Sequence, residues 1–124
     1  MKKIILDGHY HQFSYLVMQS HGHQYGYICM QHPLSPTALH QVQQTYPFVT
    51  QHRAWRWHQW LSTHIKWGQP VYLVGFCDFH LGVPRDLIMS PMYFTHRMLK
   101  IVSMCHQITH VMNTTLMKED EEHV

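Results

Sequence analysis

A chain of 124 residues, of which 45% are hydrophobic, is long enough to bury one core and too short for two domains. Charged residues make up 13% of the sequence and the formal net charge is +2, whereas histidine occurs 14 times, so we expect a polar but weakly charged surface. No apolar stretch approaches the length of a membrane span, and the three cysteines are too dispersed for a disulfide framework, which excludes a membrane-spanning protein and a disulfide-stapled secreted domain.

The first 31 residues predict a three-stranded meander. Residues 3–6 form a short apolar strand, and the Asp7-Gly8 that follows is typical of a two-residue hairpin turn. Apolar and polar residues then alternate over 9–19 and over 23–31, and residues 20–22 between them predict a three-residue turn. With that turn the two strands share one apolar ladder of facing pairs: Phe13 with Cys29, Tyr15 with Tyr27, and Val17 with Tyr25.

The middle of the chain predicts two helices and a strand. Ser35-Pro36 combines an N-cap with proline at the first helical position, and apolar residues continue at helical spacing until Pro47. Thr50 is a second N-cap, and the helix that it opens stops at residues 68–70. Residues 71–79, VYLVGFCDF, are apolar on both faces and predict a central strand of the same sheet.

The last third of the chain predicts one long helix. Ser90-Pro91 repeats the cap-and-proline pair, and the apolar residues after it predict an amphipathic helix of about 27 residues: Phe94, Met98, Ile101, Cys105, Ile108 and Met112. A small sheet cannot cover all of such a helix, so either the helix breaks or its distal half packs on another surface, for which a second copy of the chain is the expected partner. The predicted domain spans residues 1–118, and residues 119–124 form an acidic, flexible tail.

These elements together predict an α+β fold. The sheet is mostly antiparallel and has four or five strands, with the N-terminal three-stranded meander and a central strand near 70–79. Two short-to-medium helices and the long C-terminal helix complete the predicted fold.

All four tryptophans lie in RAWRWHQWLSTHIKW, residues 53–67. On a helix these indoles spread over more than one face, which favours a core or an oligomer interface, so we predict partner contacts at Trp55, Trp57 and Trp60. The alternative is stacking on nucleic-acid bases, with Arg53, Arg56 and Lys66 contacting phosphates. Because three basic residues are few for that task, nucleic acid is not an expected partner, and neither is a membrane surface.

Paired histidines are the candidates for a metal site. His9 and His11 are separated by one residue, and His32 returns to the same end of the predicted hairpin, so these three imidazoles are the predicted ligands of a zinc or copper ion. His106 and His110 stand at i and i+4, but the glutamate of the H-E-x-x-H motif is absent. The competing interpretation of both sets is polar surface histidine, and no cofactor is expected.

Asp78 and His80 are the candidate catalytic pair. They alternate onto one face near the end of the predicted central strand, and a Gly-Pro loop with Arg85 follows. An Asp-His pair can orient a general base, but no nucleophile motif accompanies it and alternation points Cys77 the other way. A buried aspartate bonded to a neighbouring histidine or arginine is the competing interpretation.

Nine methionines and seven tyrosines indicate adaptable apolar surface. Tyr25, Tyr27 and Arg85 join the tryptophans as predicted binding residues. A sheet face covered by helices is predicted to leave a cavity for a small apolar ligand, and its lining residues are Tyr10, Leu16, Met18, Ile28 and Met30.

The sequence therefore predicts a non-enzymatic binding module. We expect a cytoplasmic homodimer, joined through the C-terminal helix or the Trp-rich helix, that holds a small apolar ligand or a protein partner. The first alternative is a small hydrolase or metal-dependent enzyme that uses Asp78 and His80 with nearby histidines, and the second is nucleic-acid binding through residues 53–67.

Overall fold

A computed structural model describes residues 3–11, 13–54, 71–78 and 91–122 of the chain. Within these ranges the fold is α+β, as predicted: five antiparallel strands form one sheet in the order β1-β2-β3-β5-β4, and two helices cross one of its faces. The elements are β1 (Lys3–Tyr10), β2 (Phe13–Ser20), β3 (His23–Met30), α1 (Pro36–Thr45), β4 (Thr50–Ala54), β5 (Val71–Cys77) and α2 (Pro91–Glu122).

The predicted turn at Asp7-Gly8 is wrong, because both residues lie inside β1. Asp7 pairs with Leu16 and Gly8 with Tyr15, and the strand continues to Tyr10. Gly8 allows the Tyr15 ring to approach the backbone closely, since a Cβ at this position would lie 2.5 Å from the Tyr15 hydroxyl oxygen. The glycine that suggested a turn makes room for an aromatic ring on the neighbouring strand.

The turn between β2 and β3 has two residues and not the predicted three. Ser20 pairs with His23, and both residues between them have positive φ, 53° at His21 and 80° at Gly22. Such angles are those of a type I′ hairpin turn. Every pair in the hairpin is therefore shifted by one residue from the predicted ladder, so that Tyr15 faces Ile28 and Leu16 faces Tyr27.

This shift divides the predicted ladder between the two faces of the sheet, because a slip of one residue moves a side chain to the opposite face. The helix-side cluster holds Phe13, Tyr15, Val17 and Ile28 with residues of both helices. A second cluster contains Leu16, Met18, Tyr27, Cys29 and Leu73. The predicted cavity lining is likewise wrong as one set, because Tyr10, Ile28 and Met30 belong to the first cluster and Leu16 and Met18 to the second.

Thr50 does not cap a helix. It begins β4, which pairs with β5 through residues 50–54 and forms the edge of the sheet. The rest of the predicted helix, residues 55–70, lies outside the described residues. The predicted strand near 70–79 is confirmed as β5, which is hydrogen-bonded between β3 and β4.

The two described helices, α1 and α2, form where the sequence patterns predict them. At the start of α1 the Ser35 Oγ accepts the Ala38 N–H at 3.1 Å, and Pro36 occupies the first turn. In α2 the predicted stripe faces the sheet, since Ile101, Cys105, Ile108 and Met112 are completely buried. α2 is one continuous helix of 32 residues, about 48 Å long, and it extends into the acidic segment at 119–122.

Within the described ranges, neither helix combines the length and the hydropathy that a membrane crossing requires.

Candidate functional site

Asp78 is held by contacts from two other elements of the fold, β3 and α2. Its Oδ2 accepts the backbone N–H of Gln24 at 2.8 Å and lies 3.0 Å from the Arg97 Nη1. The same Nη1 donates to the Gly22 carbonyl at 2.9 Å. The Arg97 and Asp78 side chains are only 8% and 5% exposed. One buried ion pair thus ties α2 to the end of β5 and to the turn between β2 and β3.

The other carboxylate oxygen of Asp78 faces two potential metal ligands. Its Oδ1 lies 3.2 Å from the His23 Nδ1 and accepts from the Cys77 Sγ at 3.4 Å. The three ligand atoms lie within 4.8 Å of one another. In the part of the chain that the structure describes, no other set of three His, Cys, Asp or Glu side chains meets that distance.

The backbone explains how distant residues form this cluster. The type I′ turn at His21 and Gly22 places His23 at the first position of β3. Tyr25, two residues later on the same face, pairs directly with Cys77 on β5. The start of β3 and the end of β5 therefore lie side by side. Burial and, to a lesser degree, the neighbouring Cys77 raise the pKa of the Tyr25 hydroxyl above its usual value.

Asp78 was singled out by the sequence, but its partner was not. The described part of the chain pairs it with His23 and Arg97, whereas His80, the predicted partner, lies outside the described residues. The expectation that Cys77 points away from Asp78 is wrong, because the thiol reaches the Oδ1. The competing interpretation is a buried aspartate bonded to a neighbouring histidine or arginine, and the geometry shows a contact with each, His23 and Arg97.

The predicted metal ligands His9, His11 and His32 lie in three different surroundings. The His9 Nδ1 lies 3.1 Å from the Ser14 Oγ. The His11 ring contacts Tyr10 edge-on at 4.4 Å and lies 6.1 Å from the His110 ring. His32 lies at the edge of a cleft after β3. The structure does not bring these three imidazoles together.

A cleft of about 530 Å³ opens at the end of the helix-side cluster. Its apolar wall combines Phe13 and Met30 of the sheet with Leu34 and with Leu116 of α2. Its remaining lining residues are Cys29, Gln31, His32 and Pro33. The cleft thus has an apolar interior and a polar edge.

Hydrogen bonds from β4 hold one wall of this cleft. The Leu34 N–H donates to the Gln51 Oε1 at 2.9 Å, and the Gln51 Nε2 lies 3.5 Å from the Leu34 carbonyl oxygen. A side-chain amide that bonds both backbone groups of one residue acts as an additional strand partner. The connection between β3 and α1 is therefore fixed before any ligand arrives.

The other predicted binding residues lie elsewhere or outside the described ranges. Tyr27 is 6% exposed within the second cluster, and its ring stacks at 6.4 Å on that of the half-buried Tyr25. Arg53 is exposed on β4. The predictions made for Trp55, Trp57, Trp60, Arg56, Lys66 and Arg85 fall on residues that the structure does not describe.

No known protein family matches this chain, and neither a curated protein nor a solved structure is significantly similar to it.

Proposed function

We propose that this protein is a binding module that holds a small, mostly apolar molecule in the cleft between β2, β3 and the C-terminal half of α2. The observation that carries the proposal is the cleft itself, whose volume of about 530 Å³ lies in the range of sites for small molecules. Its apolar lining supplies the main driving force for binding, because filling it removes apolar surface from water.

The lining also suggests the chemistry of the ligand. Phe13, Met30 and Leu34 are each between 5% and 7% exposed, so they form a well-packed floor. Gln31 and His32 are exposed at the edge and offer hydrogen-bonding groups to the solvent side of a ligand. We therefore propose a molecule with an apolar body and one polar end.

The proposal retains two expectations from the sequence, a cytoplasmic location and a homodimer. Leu99 and Met117 of α2 are 60% and 58% exposed and lie 18 residues apart, which is five helical turns on one face. They are the apolar contacts that a second copy would cover. Sedimentation of the wild type is expected to show a dimer that becomes monomeric when both residues are replaced by glutamate. A wild type that sediments as a monomer would remove the dimer from the proposal.

The experiment uses 8-anilinonaphthalene-1-sulfonate, which has an apolar body and one anionic end. At about 0.3 kcal/mol for each of roughly 21 non-hydrogen atoms, we expect a Kd in the tens of micromolar by calorimetry. Leu116→Trp fills the cleft and should weaken binding at least about tenfold. Gln107→Trp adds the same indole to an exposed position of the same helix that neither lines the cleft nor is one of the two apolar dimer contacts, and it is the matched control.

The two variants separate binding in the cleft from binding to loosely folded protein. Decanoate, an aliphatic carboxylate, is expected to displace the dye from the wild type. Equal dye binding by Leu116→Trp and Gln107→Trp would show that the dye binds outside the cleft and would overturn the proposal. Dye that binds only under conditions in which the protein no longer unfolds cooperatively would be bound to loosely folded protein, and this result would also overturn the proposal.

A further inference from the structure

The cluster at the end of β5 brings an imidazole, a thiol and a carboxylate within 4.8 Å of one another. We propose that His23, Cys77 and Asp78 bind one zinc ion through the His23 Nδ1, the Cys77 Sγ and the Asp78 Oδ1. The proposal uses no residue of the apolar cleft, so it stands or falls independently of the ligand-binding function.

Two of the three distances between the ligand atoms match those of a tetrahedral site, and the third, between the His23 Nδ1 and the Cys77 Sγ, is within 4.8 Å. With Zn–N and Zn–O bonds of about 2.0 Å and a Zn–S bond of about 2.3 Å, the N and O ligands lie about 3.3 Å apart and the O and S ligands about 3.5 Å apart. The structure has 3.2 Å between the His23 Nδ1 and the Asp78 Oδ1, and 3.4 Å between the Cys77 Sγ and the same oxygen. At the Asp78 Oδ1 an ion could therefore replace both hydrogens with little change in these two distances.

The carboxylate is already oriented for this role. The Gln24 N–H and the Arg97 guanidinium both engage the Oδ2 of Asp78, which leaves the Oδ1 directed at His23 and Cys77. Hydrogen bonds that fix the outer oxygen of a ligating carboxylate are a regular feature of metal sites. Asp78 is buried, whereas the His23 side chain is 52% exposed, so an ion can enter from the solvent side.

The donor set selects the class of metal. One thiolate, one imidazole and one carboxylate suit zinc and its neighbours, whereas calcium and magnesium require mainly oxygen ligands. Three protein ligands leave a fourth tetrahedral position for water or another small ligand. The Arg97 charge opposes the cation and lowers its affinity, while the thiolate and the carboxylate together contribute two negative charges.

The test titrates the reduced, metal-free full chain with Co²⁺. A thiolate ligand gives a thiolate-to-cobalt charge-transfer band in the near ultraviolet, which the many histidines of this chain cannot produce. Cys29 and Cys105 are buried, and burial raises the pKa of both thiols, which keeps them protonated and poor ligands. We expect one equivalent of Co²⁺, a charge-transfer band, and loss of that band when Zn²⁺ is added.

Variants at the two accessible ligands test the site, because Asp78→Asn would also disturb the buried pair with Arg97. Cys77→Ser should abolish the band, and His23→Gln should weaken Co²⁺ binding at least about tenfold. His21→Asn is the matched control, since it removes an exposed imidazole from the same turn and asparagine accepts a positive φ. As a second measurement, Zn²⁺ should raise the Tm of the wild type and of His21→Asn but not that of Cys77→Ser.

Three results would overturn the proposal. The first is a wild type that shows no band, in which case the cluster is held by hydrogen bonds alone. The second is a band that persists in Cys77→Ser. The third is an equal loss of affinity in His21→Asn and His23→Gln, which would indicate binding distributed over surface histidines.

Discussion

Gly26 is the point of close approach between the sheet and α2, and Gly26→Ala tests this contact. A Cβ at Gly26 would lie 2.4 Å from the Phe76 Cζ and 2.9 Å from the Ile101 Cγ2. Ordinary carbon contacts are about 3.5 Å or more, so the new methyl group requires displacements of roughly 1 Å and 0.6 Å. Phe76 is 5% exposed and Ile101 is completely buried, which leaves neither side chain much space to move.

The expected loss of stability follows from two opposing effects. Overpacking a core with one methyl group costs about 1–3 kcal/mol, and alanine in place of glycine within a strand returns about 0.5–1 kcal/mol. With mid-range values of about 2 and about 0.75 kcal/mol, the free energy of unfolding should therefore fall by about 1.3 kcal/mol. In urea, with an m value of about 1.5 kcal/mol/M, the unfolding midpoint should decrease by roughly 1 M.

A double-mutant cycle with Phe76→Leu identifies the cause. If the clash with the ring accounts for the loss, Gly26→Ala should cost less in the Phe76→Leu background, with a coupling energy of at least about 0.5 kcal/mol. A Gly26→Ala variant as stable as the wild type would refute the reasoning, since Phe76 and Ile101 would then not lie as close to Gly26 as the structure shows.

Two further changes test the buried groups. Arg97→Met should lower the free energy of unfolding by about 3 kcal/mol, because it leaves the Asp78 carboxylate buried without its counterion. Adding Asp78→Asn to the Arg97→Met variant should recover part of this loss. A loss below about 1 kcal/mol in Arg97→Met would show that water reaches the carboxylate. Burial raises the pKa of the Cys29 thiol from 9.0 to about 12. Between pH 9 and pH 12 this thiol therefore ionises in the unfolded chain but stays protonated in the folded chain, so the free energy of unfolding falls as the pH rises. That thiol accounts for up to about 1.4 kcal/mol per pH unit, and urea unfolding between pH 8 and pH 10.5 should show a shallower decline in Cys29→Ala; identical declines would contradict the assigned burial.

Local chemistry in the sequence was sufficient for the helices. Ser35-Pro36 fixes the start of α1 because the cap and the proline act on the first turn alone. The buried stripe of α2 follows from a period that belongs to the helix itself, and Ile101, Cys105, Ile108 and Met112 are completely buried as it requires. Neither signal depends on what the helix contacts.

The strands depended on their neighbours. Gly8 has the sequence signal of a turn, yet Tyr15 on the adjacent strand uses it as space for a ring. Thr50 has the signal of a helix cap, yet it pairs with Gly75 across the edge of the sheet. In both places a contact with another strand outweighed a local preference worth about 1 kcal/mol.

The candidate sites show the same division. Asp78 could be recognised in the sequence as a polar residue at the end of an apolar strand, but His23 is 55 residues away along the chain. The local signal for the position of His23 within its hairpin was the two-residue turn that His21 and Gly22 form directly before it. The cleft likewise joins Leu34 to Leu116, and no local pattern connects them.

The sequence by itself determined the α+β class, the start of α1, the central strand and the buried face of α2, because these follow from periodicities and caps within a few residues. Tertiary structure decided the strand register, the choice between turn and strand at Asp7-Gly8, and the meeting of His23, Cys77 and Asp78. The physical reason is that a strand acquires its partners, and therefore its faces, only from segments distant in the chain.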